Sequence, residues 1–253
     1  MTAPGPLPGQ VARYLRQQGE LGATEVFLDE LDRDEALALS MRRERPVASP
    51  RDDLQGAEGR SGGEGGTESS GPYEALRKEA LACEKCSLAR TRTHVVFSDG
   101  NPRARLMVVG EAPGSQEDKT GLAFVGPAGK LLDLLLGSVD LSRTSSAYIC
   151  NVLKCRPPGT RNPLPQEIQE CTPFLRSQIE LVSPEAILAV GTFSGQFLTG
   201  KAIPLGRLRG EVYSYQGVPV VVTYHPAALL RNPGWTQATW DDLQLLRQVM
   251  DGA

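Results

Sequence analysis

Residues 105–114 are Arg105-Leu106-Met107-Val108-Val109-Gly110-Glu111-Ala112-Pro113-Gly114, an apolar run followed by a glycine-rich turn. The run predicts a buried strand that ends at Gly110. Glycine adopts backbone angles that other residues resist, so the turn can bring the Glu111 carboxylate close to a substrate. An ordinary connection between a strand and a helix would give the same pattern, and the turn alone does not decide between the two.

Similar runs recur on either side of this segment and alternate with helical patterns. Alternation of this kind predicts an α/β fold with a parallel sheet. We expect a three-layer α/β/α domain around a central, mostly parallel four-stranded sheet. The predicted strands are 105–109, 147–153, 185–190 and 218–223, and the predicted helices are 73–82, 128–136, 165–182, 192–198 and 236–250.

In parallel sheets, ligands bind beyond the carboxyl ends of the strands. Gly110, Asn151, Gly191 and His225 all fall at or near such ends. A functional site is therefore expected where these four positions meet.

Four cysteines surround this region of the sequence. Cys83 and Cys86 form a C-x-x-C pair, and Cys155 and Cys171 follow much later. Four thiolates can enclose one metal centre, which can be zinc or an iron–sulfur cluster. Unrelated buried thiols are the alternative, and Cys150, which lies within an apolar run, is interpreted as a packing residue.

Composition separates the chain into two parts. Residues 1–71 are predicted to be an N-terminal extension, partly helical and then a flexible linker, and largely disordered. The folded domain is predicted at 72–253. Residues 1–72 carry 13 acidic and 8 basic side chains, whereas the remainder carries 17 and 19, so only the second part has the weakly basic balance that suits phosphate binding.

The location is predicted from absences and from the cysteines. Neither a secretory signal nor a membrane-spanning apolar run is recognisable. Clustered cysteines are typical of metal sites in reduced compartments, so we expect a cytoplasmic protein with no membrane partner.

Three further residues are candidates for a binding site, each with a plainer interpretation. Phe124, held between glycines, is suited to stacking on a planar ligand, or packs in the core. Asn151 can read a pyrimidine edge through its amide, or caps a turn. His225, one of two histidines, precedes Pro226-Ala227-Ala228-Leu229-Leu230-Arg231, which suits a loop in a nucleic-acid groove or simply starts a helix.

Taken together, these motifs resemble the family 4 uracil-DNA glycosylases, the iron–sulfur branch of the uracil-DNA glycosylase superfamily. The resemblance covers residues 73–250. It is carried by Cys83-x-x-Cys86, Gly110-Glu111-Ala112-Pro113-Gly114, Glu117-Asp118, Phe124-Val125-Gly126-Pro127-Ala128-Gly129, Asn151-Val152-Leu153-Lys154-Cys155-Arg156-Pro157-Pro158, Cys171 and His225-Pro226-Ala227-Ala228-Leu229-Leu230-Arg231.

The resemblance implies a monofunctional enzyme that removes uracil from single- or double-stranded DNA, the first step of base excision repair. It implies Glu111 and His225 as catalytic residues. It places Ala112, Glu117, Phe124 and Asn151 at the substrate, and Leu229 or Leu230 with Arg231 at the DNA. It also favours a [4Fe–4S] cluster over zinc on Cys83, Cys86, Cys155 and Cys171.

Two alternatives to this function stay open. One is a non-catalytic DNA-binding module stabilised by its metal, and the other is a glycosylase for another deaminated base. We expect a monomer. A protein partner for residues 1–71 is a further hypothesis.

Overall fold

The computed structural model describes residues 71–252, and within them the backbone forms one six-stranded sheet. The strand order is β1-β3-β2-β4-β6-β5. The strands are β1 (Asp99–Gly100), β2 (Leu106–Gly110), β3 (Ala147–Asn151), β4 (Ala186–Val190), β5 (Val212–Tyr215) and β6 (Val218–Thr223). The predicted N-terminal extension lies outside the described residues, apart from Gly71.

The prediction of a four-stranded sheet was incomplete. The four predicted strands form its parallel centre, and β1 and β5 add one antiparallel strand at each edge. The edge strands were missed because β1 has two residues and β5 is partly exposed, so neither forms a continuous apolar run. A usable signal was the pair Gln216-Gly217, which joins β5 to β6 with positive φ at both residues, as tight hairpins require.

Eight α-helices lie among the described residues. They are α1 (Pro72–Leu81), α2 (Ser115–Thr120), α3 (Pro127–Gly137), α4 (Pro165–Val182), α5 (Thr192–Thr199), α6 (Leu205–Leu208), α7 (Pro226–Arg231) and α8 (Thr236–Asp251). The short helices α2 and α6 were not predicted, since neither is long enough to show an apolar periodicity. No helix between residues 71 and 252 is long and apolar enough to cross a membrane.

Helices cover both faces of the sheet. Residues of α3 and α8, such as Leu132 and Leu246, pack with Val108 and Leu188 on one face. On the other face α4, α5 and α6 pack against the alternate strand residues, among them Met107. The central strands are therefore buried on both sides, which explains why their sequences are almost uninterruptedly apolar.

A third cluster surrounds the cysteines. It joins α1, the short 3₁₀ helix Ser87–Arg90, and the start of α4 through Ala80, Leu88 and Phe174. Cys155 and Cys171 are buried within it. The two remote parts of the cysteine pattern therefore meet in one small core beside the sheet.

One contact between a helix and a loop requires glycine. A Cβ atom added to Gly129 in α3 would lie 1.7 Å from the carbonyl oxygen of Phe124. At Gly137, at the end of the same helix, an added Cβ would meet nothing within 4 Å. The first turn of α3 thus packs directly on the backbone that carries Phe124.

These two glycines make a matched pair for a stability test. Gly129→Ala forces the Phe124 loop away from α3, and we expect the free energy of unfolding to fall by about 1–3 kcal/mol. Gly137→Ala removes the entropic cost of a glycine in a helix and should raise the free energy of unfolding by up to about 1 kcal/mol. Chemical denaturation of both variants measures the difference, and equal stabilities would contradict the close contact.

Candidate active site

A cleft of about 470 Å³ opens at the carboxyl ends of the parallel strands. Its walls come from the turn after β2, the segment after β3, the start of α5, and α7. The lining residues are Glu111, Ala112, Pro113, Gly114, Ser115, Arg156, Pro157, Arg161, Val190, Gly191, Thr192, Phe193, His225, Ala228 and Arg231. Glu111, Ala112, His225 and Arg231, all predicted from the sequence, therefore share one cavity.

Backbone pairing positions Glu111. The pairing of β2 with β3 continues past both strands, because Val152 N–H donates to the Gly110 carbonyl (2.9 Å) and Leu153 N–H donates to the Glu111 carbonyl (3.0 Å). The Glu111 side chain is half-buried, and burial raises the pKa of its carboxyl above the ordinary value. The carboxylate is therefore a better proton acceptor than a glutamate in water.

His225 follows β6 and caps the N-terminus of α7. Its Nδ1 accepts a hydrogen bond from Ala227 N–H at 3.1 Å. Burial, assisted by the positive charge of Arg231, lowers the pKa of His225 to about 4. The ring is thus neutral at neutral pH, and because Nδ1 is an acceptor its proton resides on Nε2.

Gly191 lies directly behind His225. Its φ is +102°, a left-handed conformation, and an added Cβ would lie 3.2 Å from the Cβ of His225. A side chain at residue 191 would therefore push the imidazole out of place.

Phe124 and Asn151 are buried behind the cleft. The Phe124 ring stacks on the His225 ring with centroids 5.5 Å apart and planes at 28°. A Cβ at Gly110 would lie 2.3 Å from Asn151 Oδ1 and 2.7 Å from Phe124 Cζ, so the two side chains meet at Gly110. Asn151 is 2% exposed, and its Oδ1 has no hydrogen-bond partner among the described residues, as expected of an acceptor reserved for a ligand.

The loop that carries Phe124 is held by opposite charges. Glu117 Oε1 accepts hydrogen bonds from the N–H groups of Val125 and Gly126, both at 3.0 Å. From the other side, Arg143 donates to the carbonyls of Ala123 (2.9 Å) and Phe124 (2.8 Å). Phe124 has φ +53°, which is costly for an aromatic residue and persists only where its surroundings impose it.

This arrangement changes the interpretation of two residues. Glu117 was predicted to touch the substrate, whereas its observed contacts are to the backbone of the Phe124 loop. Arg143 was not predicted at all, because a single arginine in the segment Ser142-Arg143-Thr144 carries no signal. Its ion pairs with Asp99 (2.9 Å) and Asp133 (2.8 Å) place it firmly under the loop.

The segment after His225 is the helix α7 rather than a loop. Leu229 is buried, whereas Leu230 is 45% exposed and Arg231 lines the cleft. Of the two leucines left open by the sequence, Leu230 is therefore the one available to a ligand. Pro226 at the first helical position fixes the direction in which the chain leaves β6.

Two more arginines in the cleft were not predicted. Arg161 forms two hydrogen bonds to buried Glu167, and this contact lowers the pKa of Glu167 to about 2. Arg156, like Arg231, has no carboxylate within ion-pair distance in the described part of the chain. Arg156 and Arg231 are accordingly the cations available for phosphate.

Cys83, Cys86, Cys155 and Cys171 line one narrow cavity together with Lys85, Arg92 and Lys154. Two donors point at sulfur atoms: Arg92 Nη1 to Cys155 Sγ (3.5 Å) and Lys154 N–H to Cys171 Sγ (3.2 Å). Burial raises the pKa of the Cys155 and Cys171 thiols, so their thiolates need a metal for stabilisation. This donor set suits a metal centre with negative charge.

Within residues 71–252, no three histidine, cysteine, aspartate or glutamate side chains are grouped closely enough to hold a metal ion. Four thiolates suit either zinc or an iron–sulfur cluster.

Lys154 connects the cysteines with Asn151. Its side chain is 2% exposed, and Nζ donates to the Asn151 carbonyl at 2.6 Å, while its backbone N–H contacts Cys171. A buried cation requires a nearby negative charge. The structure pairs Lys154 with no carboxylate among the described residues, and four metal-bound thiolates would supply that charge.

Comparison with known proteins agrees with this geometry. The family model described as the uracil DNA glycosylase superfamily matches residues 97–244. The type-4 uracil-DNA glycosylase of Archaeoglobus fulgidus is 42% identical over 164 residues, which cover 62% of this chain and 82% of the relative. That of Thermotoga maritima is 44% identical over 161 residues, 63% of this chain and 83% of the relative.

A more distant relative is the type-5 uracil-DNA glycosylase of Pyrobaculum aerophilum, which is 33% identical over 151 residues, 53% of this chain and 66% of the relative. The type-4 relatives are thus more similar in sequence than the type-5 relative, and they align over a longer part of this chain. The chain therefore belongs to the uracil-DNA glycosylase superfamily, and within it to the type-4 branch.

Proposed function

We propose that this protein hydrolyses the N-glycosidic bond of uracil in DNA and leaves an abasic site. The observation that carries the proposal is the cleft that Glu111 and the neutral His225 ring both line, with Phe124 stacked on His225 and Asn151 buried behind it. The names of the type-4 relatives give the same activity.

Asn151 selects the base. Its Oδ1 accepts the N3–H of uracil and its amide N–H donates to O4. Cytosine presents the reverse pattern at this edge, so it would leave a buried amide unpaired, which is a large penalty in a dry pocket. Phe124 stacks on the base beside it.

His225 stabilises the leaving group. When the C1′–N1 bond breaks, its electron pair passes to the base, and negative charge develops on uracil O2. The Nε2–H of neutral His225 donates a hydrogen bond to this oxygen, and a donor aimed at developing charge is commonly worth about 10²–10³ in rate. Nδ1 is already occupied by Ala227 N–H, so Nε2 keeps the proton.

Glu111 supplies the other half of the reaction. Its carboxylate accepts a proton from water while the water oxygen bonds to C1′. Before this bond forms, the negative charge of the carboxylate stabilises the cationic sugar. We assign this role to Glu111 rather than to Glu117, because one carboxylate oxygen of Glu117 accepts hydrogen bonds from two backbone N–H groups.

The base must leave the helix before it can reach the cleft. Rotating a nucleotide out of the stack costs a few kcal/mol. We infer that Leu230, exposed on α7, fills the vacated space, and that Arg231 and Arg156 contact phosphates. Ala112 lines the site near the sugar or base.

We further propose a [4Fe–4S] cluster on Cys83, Cys86, Cys155 and Cys171. Such a group supplies structural cross-linking and a compensating negative charge here. The contact from Lys154 to Asn151 gives this cross-link a consequence for base recognition. Cytoplasmic location, a monomeric state and a partner for residues 1–71 stay predictions.

The first test compares two carboxylates with matched substitutions. Glu111→Gln removes the general base, and we expect the rate of uracil release to fall by about 10²- to 10⁴-fold. Glu117→Gln keeps an oxygen that accepts from Val125 and Gly126, so it should lose far less. Release is measured from single-stranded and uracil·guanine oligonucleotides at substrate saturation.

Other outcomes of this assay separate the alternatives. Binding to DNA without any release would favour the non-catalytic module. Release of hypoxanthine or xanthine in preference to uracil would favour a glycosylase for another deaminated base. If Glu117→Gln were the more damaging change, the roles of the two carboxylates would be reversed.

The pH dependence follows from the two pKa shifts. Burial raises the pKa of Glu111, so as the pH falls this carboxylate is protonated at a higher pH than an ordinary glutamate, and activity declines there. His225 gains its charge only near its lowered pKa of about 4. We expect kcat/KM to decrease as the pH falls, and we expect this acidic limb of the pH profile to move to lower pH in Glu111→Gln.

Nuclear magnetic resonance tests the His225 state directly. In a His94→Gln variant His225 is the sole histidine, and its ring should stay neutral, with the proton on Nε2, well below the ordinary pKa of about 6.5. A ring titration at that ordinary value would contradict the neutral donor.

The cluster has a spectroscopic test. The purified full chain should show broad visible absorption and contain iron and sulfide in equal amounts. Cys155→Ser should lose both, whereas Cys150→Ser, which alters a buried thiol of the sheet, should keep them. A colourless protein that contains zinc would refute the assignment.

A further inference from the structure

Three side chains form a stack at the carboxyl end of β6. The rings of Tyr224 and Trp235 are 4.5 Å apart with planes at 14°. The guanidinium carbon of Arg209 lies 4.4 Å from the centre of the same tyrosine ring. Two groups so close to one ring must occupy opposite faces, so Tyr224 is the middle layer and Trp235 an outer layer.

The stack is rigid before any ligand arrives. Arg209 Nε donates to Asp242 Oδ2 at 2.7 Å, and its Nη2 donates to the Ala238 carbonyl. Helix α8 therefore holds the guanidinium layer of the stack in place. Trp235 N–H donates to the Asn232 carbonyl at 3.1 Å, which fixes the turn that carries the indole. A preformed surface loses little conformational entropy on binding.

The indole of Trp235 is nevertheless 40% exposed. Trp240 is exposed to a similar extent, and Trp235 differs from it by its stacking on Tyr224. A flat ring held parallel to a second ring offers its outer face to another planar group, and every nucleobase has such a face.

The position of Trp235 suits DNA in the cleft. Tyr224 directly precedes His225, and Trp235 follows cleft-lining Arg231 by four residues. Four residues span at most about 14 Å, and a DNA strand rises about 3.4 Å per nucleotide. Trp235 is therefore within about four nucleotide rises of Arg231, which lines the same cleft as His225.

We propose that Trp235 is a stacking platform for an unpaired base of the substrate strand that flanks the uracil. The base is unpaired because both faces of a base inside a duplex are already covered by its neighbours. The placement relative to uracil rests on the proposed function, whereas stacking on Trp235 does not require catalysis. The platform should therefore favour single-stranded or locally opened DNA.

Trp240 provides a matched control, because it is 38% exposed on α8 and stacks on no aromatic ring among the described residues. Trp235→Ala should weaken binding to a short oligothymidylate without uracil by about 5- to 150-fold, the value of one base stack. Trp235→Phe should lose less, and Trp240→Ala should bind as the unaltered chain does.

The salt dependence distinguishes stacking from charge. Trp235→Ala should leave the slope of log K against log salt unchanged, since no phosphate contact is lost. Arg231→Ala should reduce that slope by about 0.7 for a single strand. Unchanged affinity in Trp235→Ala, or an equal loss in Trp240→Ala, would overturn the proposal.

Fluorescence gives a second, independent measurement, since the chain has two tryptophans. In Trp240→Phe, oligothymidylate should quench the emission of Trp235, whereas in Trp235→Phe the emission of Trp240 should not respond. Because these oligonucleotides contain no uracil, a failure of catalysis leaves the measurement intact. Quenching confined to Trp240 would exclude the platform, and a duplex that quenches as strongly as a single strand would exclude an unpaired base.

Discussion

Two backbone hydrogen bonds just beyond β2 and β3 hold the whole site together. They join Val152 to Gly110 and Leu153 to Glu111, and so extend the parallel pairing into two loops. Asn151 stands at the start of one extension and Cys155 near its end. The segments that carry the Glu111 carboxylate, the Asn151 amide and the Cys155 thiol are thereby fixed against one another by the main chain.

Lys154 also links the cysteine cluster to Asn151. Lys154 contacts Cys171 through its backbone N–H and the Asn151 carbonyl through its ammonium group. Loss of negative charge at the cysteines would leave a buried cation without compensation. The expected response is a shift of the Asn151 backbone, which would disturb recognition of the base.

Charge is used differently at the two walls of the pocket. Glu117 and Arg143 bind opposite sides of the Phe124 loop through N–H groups and carbonyls, and they hold Phe124 in an unfavourable conformation. His225, in contrast, is kept neutral by burial. A charged imidazolium at this position would carry a desolvation penalty, because burial disfavours the charged ring. The Phe124 loop is therefore held by charged side chains, whereas the His225 ring is held without charge.

The sequence by itself determined the parallel centre of the sheet, because strands buried on both faces must be apolar throughout. It also indicated Glu111, His225, Asn151, Phe124 and the four cysteines as candidates, because short motifs in a consistent order resemble one family. Spacing alone left zinc and iron–sulfur open, and it left Leu229 and Leu230 equivalent.

Only the tertiary structure distinguished Leu229 from Leu230, since contacts between distant segments have no local pattern. Helix α7 buries Leu229 and exposes Leu230, and the Phe124 loop engages Glu117 and recruits Arg143 from 19 positions further along the chain. The proton position on His225 likewise depends on a single N–H from Ala227. Each of these outcomes follows from the direction in which a side chain points, which packing fixes and composition does not.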